Sequence, residues 1–172
     1  PLFQRVKTIY EASKENPLPA DQQRVAELTY QSFAMSGANL DAEKKKRYAE
    51  INKELSTLYT KFSNNVLHDE ENYVTYLSEN QLGGLPDAFV KSAARIAESK
   101  GEKGKYAVTN TRSSMDPFLT YSTERDLRKK VWTNYYSRGD NDDEYDNKAI
   151  IAQILKLRKE RVALLGHNNF AE

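Results

Sequence analysis

Two histidines, His68 and His167, are the only imidazoles in this 172-residue chain, and it contains no cysteine. A zinc hydrolase commonly sets two imidazoles four residues apart on one helical face with a glutamate between them, so that metal and general base share a surface. Neither histidine has that neighbour. His68 is followed by Asp69-Glu70-Glu71-Asn72 and His167 by Asn168-Asn169-Phe170-Ala171. Their separation of about a hundred residues does not by itself exclude a two-histidine metal site, yet each reads first as a helix-end residue. His68 closes a long helix, where a cation suits the dipole, and His167 follows the helix-ending Gly166. The lack of cysteine removes disulfides, thiolate nucleophiles and cysteine zinc sites, and it leaves the redox compartment open.

Asp140-Asn141-Asp142-Asp143-Glu144 starts like a calcium loop. Such a loop needs Gly at its sixth position and a bidentate Glu at its twelfth, and here those positions hold Tyr145 and Ile151. A solvated acidic loop is the expectation. Lys44-Lys45-Lys46-Arg47 suggests a phosphate contact or a nuclear signal, but it opens a helix beside Asp41, Glu43 and Glu50 and reads as a solvated face. Eleven tyrosines and Trp132 at helical spacings read as core or interface before they read as a ligand groove. Gly83-Gly84 and Gly101-x-x-Gly104 lack the strand, helix and Lys-Ser/Thr of a phosphate loop, and no Gly-x-Ser-x-Gly elbow is present. No carboxylate pair stands out for acid–base work. Asn110-Thr111-Arg112-Ser113-Ser114 is polar and loop-like, suited equally to turn chemistry or to a channel wall.

The elements that would position these groups are helical. Leu2, Phe3, Val6, Ile9 and Tyr10 predict a helix to about Ser13, and Pro17 and Pro19 interrupt it. Val25, Leu28, Thr29 and Phe33 predict a second helix, closed near Gly37. From the N-cap Asp41, the residues Tyr48, Ile51, Leu55, Leu58, Phe62 and Val66 trace one narrow apolar seam along a helix of about 26 residues, which needs a partner helix. Asn72 to Ser78 and Lys105 to Thr109 predict strands, with Phe118 to Tyr121 a third candidate. Ser78 with Gln81 is a capping box ahead of a short helix, Pro86 opens a helix ending at Lys100-Gly101, and Thr123 with Asp126 caps the helix that runs to Arg138-Gly139. Asn147 caps a last helix through Leu165. The fold class expected is mainly α: a multi-helix bundle over residues 1–172 as a single helical region, with at most a small two- or three-stranded β element.

Hydrophobic residues are 38% and charged residues 30%, a thin core under a charged surface. A formal net charge of +1 gives no global reason to seek nucleic acid or an anionic membrane. No apolar run reaches the roughly 20 residues of a membrane span, and no signal peptide opens the chain. It begins inside an amphipathic pattern and stops without terminal punctuation, so the expectation is a region excised from a longer protein.

Several segments resemble a known family when taken in order. They are Ser36-Gly37-Ala38-Asn39-Leu40, Glu50-Ile51-Asn52-Lys53-Glu54-Leu55, Phe62-Ser63-Asn64-Asn65-Val66-Leu67 and Gly84-Leu85-Pro86. They continue with Thr120-Tyr121 before Arg125-x-Leu127-Arg128, Ser137-Arg138-Gly139, Asp146-Asn147-x-x-Ile150-Ile151, Leu157-Arg158-x-x-Arg161 and Leu164-Leu165-Gly166-x-x-Asn169-Phe170-Ala171. Across nearly the whole chain they resemble the thimet-oligopeptidase family of zinc metallopeptidases, family M3. The Ser36–Leu40 stretch points to the bacterial peptidyl-dipeptidase (Dcp) branch, with the oligopeptidase A branch next. The resemblance implies a neurolysin-like helical lobe beside a deep channel, zinc held by His-Glu-x-x-His and a downstream Glu, and release of C-terminal dipeptides from short peptides. This chain would be the region upstream of that metal site. It has no His-Glu-x-x-His, so the resemblance assigns it no catalytic residue, no metal ligand and no identified substrate-binding residue. Zinc is expected in the intact enzyme and no cofactor in this fragment, which alone is not expected to be an enzyme. The partners implied are the remainder of the same polypeptide and short peptides, with no nucleic acid. The compartment implied is the cytoplasm, with the periplasm as the alternative. A freestanding helical interaction module, docking a partner helix on the Tyr48–Val66 seam, is the other reading.

Overall fold

A computed structural model describes residues 2–171. Seven α-helices and one two-stranded antiparallel sheet are present among them: α1 (Leu2–Glu15), α2 (Ala20–Met35), α3 (Ala42–Asn72), β1 (Thr75–Leu77), a 3₁₀ turn (Glu79–Gln81), α4 (Asp87–Ser99), β2 (Tyr106–Val108), α5 (Arg112–Tyr121), α6 (Arg125–Tyr136) and α7 (Lys148–Leu164). The mainly helical class with a minimal β element is the observed one. No helix among the described residues is long and apolar enough to cross a membrane.

The chain divides into two compact units. Unit 1 comprises the residues up to Leu58 together with those from Ala152 on. In it α1 and α2 form a hairpin closed by aromatic rings, because Tyr30 stacks on Tyr10 with centroids 4.2 Å apart and lies 6.1 Å from Phe3. Ile51 and Leu55 of α3, and Ile154, Leu157 and Val162 of α7, are buried there. Asp41 caps α3 as expected, accepting the Lys44 N–H on Oδ1 at 2.8 Å.

Unit 2 runs from Tyr59 to Ile151. Its core is Leu77, Val108, Met115, Phe118 and Val131, ringed by partly buried Leu85, Phe89 and Leu127. β1 and β2 pair with Tyr76 opposite Ala107. The small residues Ala93 and Ala97, one turn apart on α4, are almost fully buried. Two expectations fail here. Phe118 to Tyr121 is not a strand but the end of α5, with Pro117 inside that helix. Ser114, Met115 and Phe118 are the residues buried on it, a helical stripe that outweighs the β preference of an isolated Phe-Leu-Thr-Tyr. Thr123 is not the cap of α6: the N-cap is Glu124, and the Thr123 N–H donates to the Gly83 carbonyl at 3.0 Å instead. The Ser78–Gln81 capping box is formed.

Candidate functional site

The buried seam of α3 continues past its apolar residues. After Ile51, Leu55, Leu58 and Phe62, the same stepping by three and four reaches Asn65 and Asp69, which are 5% and 0% exposed. A carboxamide and a carboxylate thus occupy positions where the seam asks for hydrocarbon. Burial of such groups is tolerable only if every lone pair and N–H finds a partner. Both groups have hydrogen-bond partners, which come mostly from the loop between α6 and α7.

The Asp69 Oδ2 accepts the Gly139 backbone N–H at 2.7 Å and the Asn141 Nδ2 at 2.9 Å. The Asp69 carbonyl accepts from Asn110 Nδ2 at 3.1 Å, and that same amide reaches the Asn134 carbonyl at 3.1 Å. Asn65 Nδ2 donates to Asn147 Oδ1 at 3.0 Å, while Asn147 Nδ2 donates to the Phe62 carbonyl at 3.2 Å. The Asn147 N–H closes the circuit on the Gly139 carbonyl at 2.7 Å. Gly139 itself has φ +70, and a Cβ there would sit 2.6 Å from Asn147 Nδ2, so glycine is required twice over. Beside this hub Glu70 pairs with Arg138, whose guanidinium lies 3.8 Å over the Tyr135 ring. The hub is a positioning device that fixes residues 137–147 against the second half of α3.

The candidates singled out from sequence meet different neighbours. His68 stacks face to face on Tyr145, with centroids 3.4 Å apart and planes 7° from parallel, and its Nδ1 is 3.4 Å from Asp69 Oδ1. His167 sets Nε2 3.3 Å from the Met35 sulfur, in a small cavity shared with Tyr48, Arg161 and Phe170. Among the described residues no three of His, Asp and Glu are grouped so as to hold a metal ion. A catalytic zinc needs three protein ligands and an open position, and the donors around these histidines do not fit it.

The acidic run Asp140 to Glu144 is part of a cage. Asp140, Asp142 and Asp146 converge on Lys148 Nζ at 2.6, 2.7 and 2.9 Å, so an ammonium takes the place that a cation would want. The Lys148 backbone N–H and ammonium hold the Asp146 carboxyl below its ordinary range. Of the basic run, Arg47 is engaged in unit 1: its Nε and Nη2 grip Glu160 at 2.6 and 2.8 Å, and Glu54 lies at 3.1 Å. Asn110 belongs to the hub. Thr111 precedes α5, and Arg112, Ser113 and Ser114 form its first turn, with Ser114 Oγ accepting the Thr109 N–H at 3.0 Å.

Asn65 and Asp69 have no functional reading in the sequence, Asn141 enters it only as part of the calcium-like run, and Asn147 only as a helix cap. The available signal was the seam's stepping, which continues from Phe62 to Asn65 and Asp69 without a break.

The match to a family lies in the C-terminal third of the chain. Residues 118–172 match Peptidase family M3. That stretch contains Gly139, Asn141 and Asn147, the loop side of the hub. The whole chain is similar to an organellar oligopeptidase A of Arabidopsis thaliana, 35% identical over 100% of this chain and 22% of that protein. It is 38% identical to an oligopeptidase A of Haemophilus influenzae over 88% of this chain and 23% of that protein. Similarity to the dipeptidyl carboxypeptidase of Escherichia coli is 26% over 99% of this chain and 25% of that protein. The chain therefore spans about a quarter of the length of these curated relatives. Identity is higher to the two oligopeptidases A than to the dipeptidyl carboxypeptidase, which reverses the branch order that Ser36–Leu40 suggested.

Proposed function

We propose that this chain is the helical, non-catalytic part of a longer zinc-dependent M3 metallopeptidase. In it the chain serves as lobe scaffold and as wall for the space that confines short peptides. The observation that carries this reading is the alignment with an oligopeptidase A from end to end of this chain, in a polypeptide whose described residues group no metal ligands. Confinement has a physical purpose. A wall that orients an extended peptide removes much of the entropic cost of presenting its bond to a metal elsewhere, and it keeps folded proteins out. Unit 1 offers a seat for the remaining polypeptide: an apolar groove of about 410 Å³ lined by Val6, Ile9, Leu18, Val25 and Ala26, in which Ile9 and Val25 are more than half exposed. Cleavage within short peptides is favoured by the higher identity to the oligopeptidases A, and release of C-terminal dipeptides is the second reading. The compartment that goes with this role is the cytoplasm.

Expression of the complete coding frame tests the proposal. A quenched fluorogenic peptide should be cut by the long product, the cutting should stop with a chelator, and mass spectrometry of the fragments separates internal cleavage from dipeptide release. Residues 1–172 alone should leave the peptide intact. Chelator-sensitive cleavage by these residues, or a stop codon directly after them, defeats the proposal.

A further inference from the structure

Helix α6 presents a stripe that mixes cations with large aromatic rings. Arg125, Lys129, Trp132 and Tyr136 follow each other at steps of four, three and four, so they share one helical face, and all are exposed. Trp132 is 51% and Tyr136 64% exposed, and their rings touch with centroids 5.1 Å apart. Leaving two large rings in water forfeits apolar burial that α6 gains elsewhere through Val131. The two cations are also unspent. Arg112 is paired with Asp116, Arg138 with Glu70 and Lys148 with three aspartates, whereas neither Arg125 nor Lys129 has a carboxylate within 4.0 Å among the described residues. A cleft of about 310 Å³ opens along the stripe, lined by Arg125, Asp126, Arg128, Lys129, Trp132 and Leu119. The Nε of Arg128 in that lining is buried and has no acceptor among the described residues.

We infer that this face binds an acidic peptide segment, with its carboxylates on Arg125 and Lys129 and an apolar side chain against Trp132 and Tyr136. Charge complementarity selects the anion, and the paired rings supply the contact area that a lone basic patch lacks. A nucleic acid fits less well. Polyanion binding grows with the number of phosphates neutralised, and the cleft offers three cations, Arg125, Arg128 and Lys129, beside two large rings rather than an extended basic track. The inference goes beyond the scaffold role and stands whether or not the longer protein is a peptidase.

Trp132 is the only tryptophan of the chain, so its fluorescence reports the site directly. The 172-residue protein is titrated with a short glutamate peptide carrying one central leucine, with the same peptide in lysine, and with single-stranded oligothymidylate. The glutamate peptide should give a saturable change in emission that weakens in high salt. The double variant Arg125→Gln/Lys129→Gln should bind it roughly tenfold more weakly, in line with the loss of two charge-assisted contacts. Both side chains are exposed, so an unchanged circular dichroism spectrum is expected and confirms that folding is not what was lost. No saturable change, equal binding of the lysine peptide, tighter binding of the oligonucleotide, or an undiminished affinity in the double variant each overturns the inference. None of these outcomes bears on chelator-sensitive cleavage by the longer protein, so the two proposals fail separately.

Discussion

In unit 2 the least exposed side chains include Asp69, Asn65, Asn110, Asn147, Thr75 and Ser122 beside Phe118, Leu77 and Val108; in unit 1 the one buried polar residue among those described is Ser13, in the company of Ile51 and Leu55. Ser13 needs little, giving its hydroxyl to the Tyr10 carbonyl at 2.8 Å and accepting Gln23 Nε2 at 3.0 Å. The hairpin of unit 1 is otherwise closed by stacked rings, and Val25, Leu28 and Leu2 remain about half or more exposed. Ring and aliphatic contacts are graded: a small slide changes them a little. A buried carboxylate that serves two donors has one solution and fails elsewhere. The region that must hold the 137–147 loop in one geometry is therefore built from hydrogen bonds, and the region with apolar surface to spare is built from contacts that tolerate adjustment.

The largest effect should come from the apolar centre of unit 2. Phe118 is fully buried and 6.3 Å from the Phe89 ring, so Phe118→Ala should cost about 4 kcal/mol in urea unfolding. Asp69→Ala is the sharper test. It strands the Gly139 N–H and the Asn141 amide without an acceptor, and about 3 kcal/mol should be lost, with hydrogen exchange rising first at residues 137–147. A cost below about 1 kcal/mol would mean that the hub is ornament on an apolar core, and the contrast between the units would break.

In unit 1, Tyr30→Ala removes the ring that meets both Tyr10 and Phe3 and should cost about 2 kcal/mol, because Tyr30 is only partly buried. Its exchange signature should stay within α1 and α2 while the amides of residues 137–147 remain protected. A Tyr30→Ala protein whose loop amides exchange as fast as those of Asp69→Ala would show that the two kinds of contact are not separable.

What was readable in advance follows the same division. Period-three-and-four stripes mark α1, α2 and α3, Pro86 and Lys100-Gly101 bound α4, and local capping chemistry places Asp41 and the Ser78–Gln81 box, because these depend on neighbours along the chain. The failures are residues whose partners are distant. Phe118 to Tyr121 reads as strand until Met115 and Phe118 are seen buried on one face of a helix. Thr123 reads as a cap until Gly83 takes its N–H. Asp69 was legible only as one acid in Asp69-Glu70-Glu71, since its donors lie about 70 positions away in Gly139 and Asn141. The seam's stepping carried that information, but an apolar seam and a buried polar one have the same period.

The smallest effect is electrostatic and separates the units by pH. In unit 1 the Arg47 guanidinium holds the Glu160 carboxyl below its ordinary value of 4.5, and in unit 2 the Lys148 N–H does the same for Asp146. A carboxyl lowered in the folded state contributes stability that is fully present above its unfolded value and is lost as pH falls through the lowered folded value. Both units should therefore weaken on the acid side, modestly, since Arg47 and Glu160 are each more than a third exposed and solvent screens the pair. Glu160→Gln should flatten that acid-side slope for exchange in the part of α7 that belongs to unit 1 and leave it in the 137–147 loop. Asp146→Asn should do the reverse. Hydrogen exchange measured from neutral pH down to the carboxylate range reads both variants, and a slope that either substitution removes from both regions at once would mean that the acid response belongs to the chain as a whole rather than to these two carboxylates.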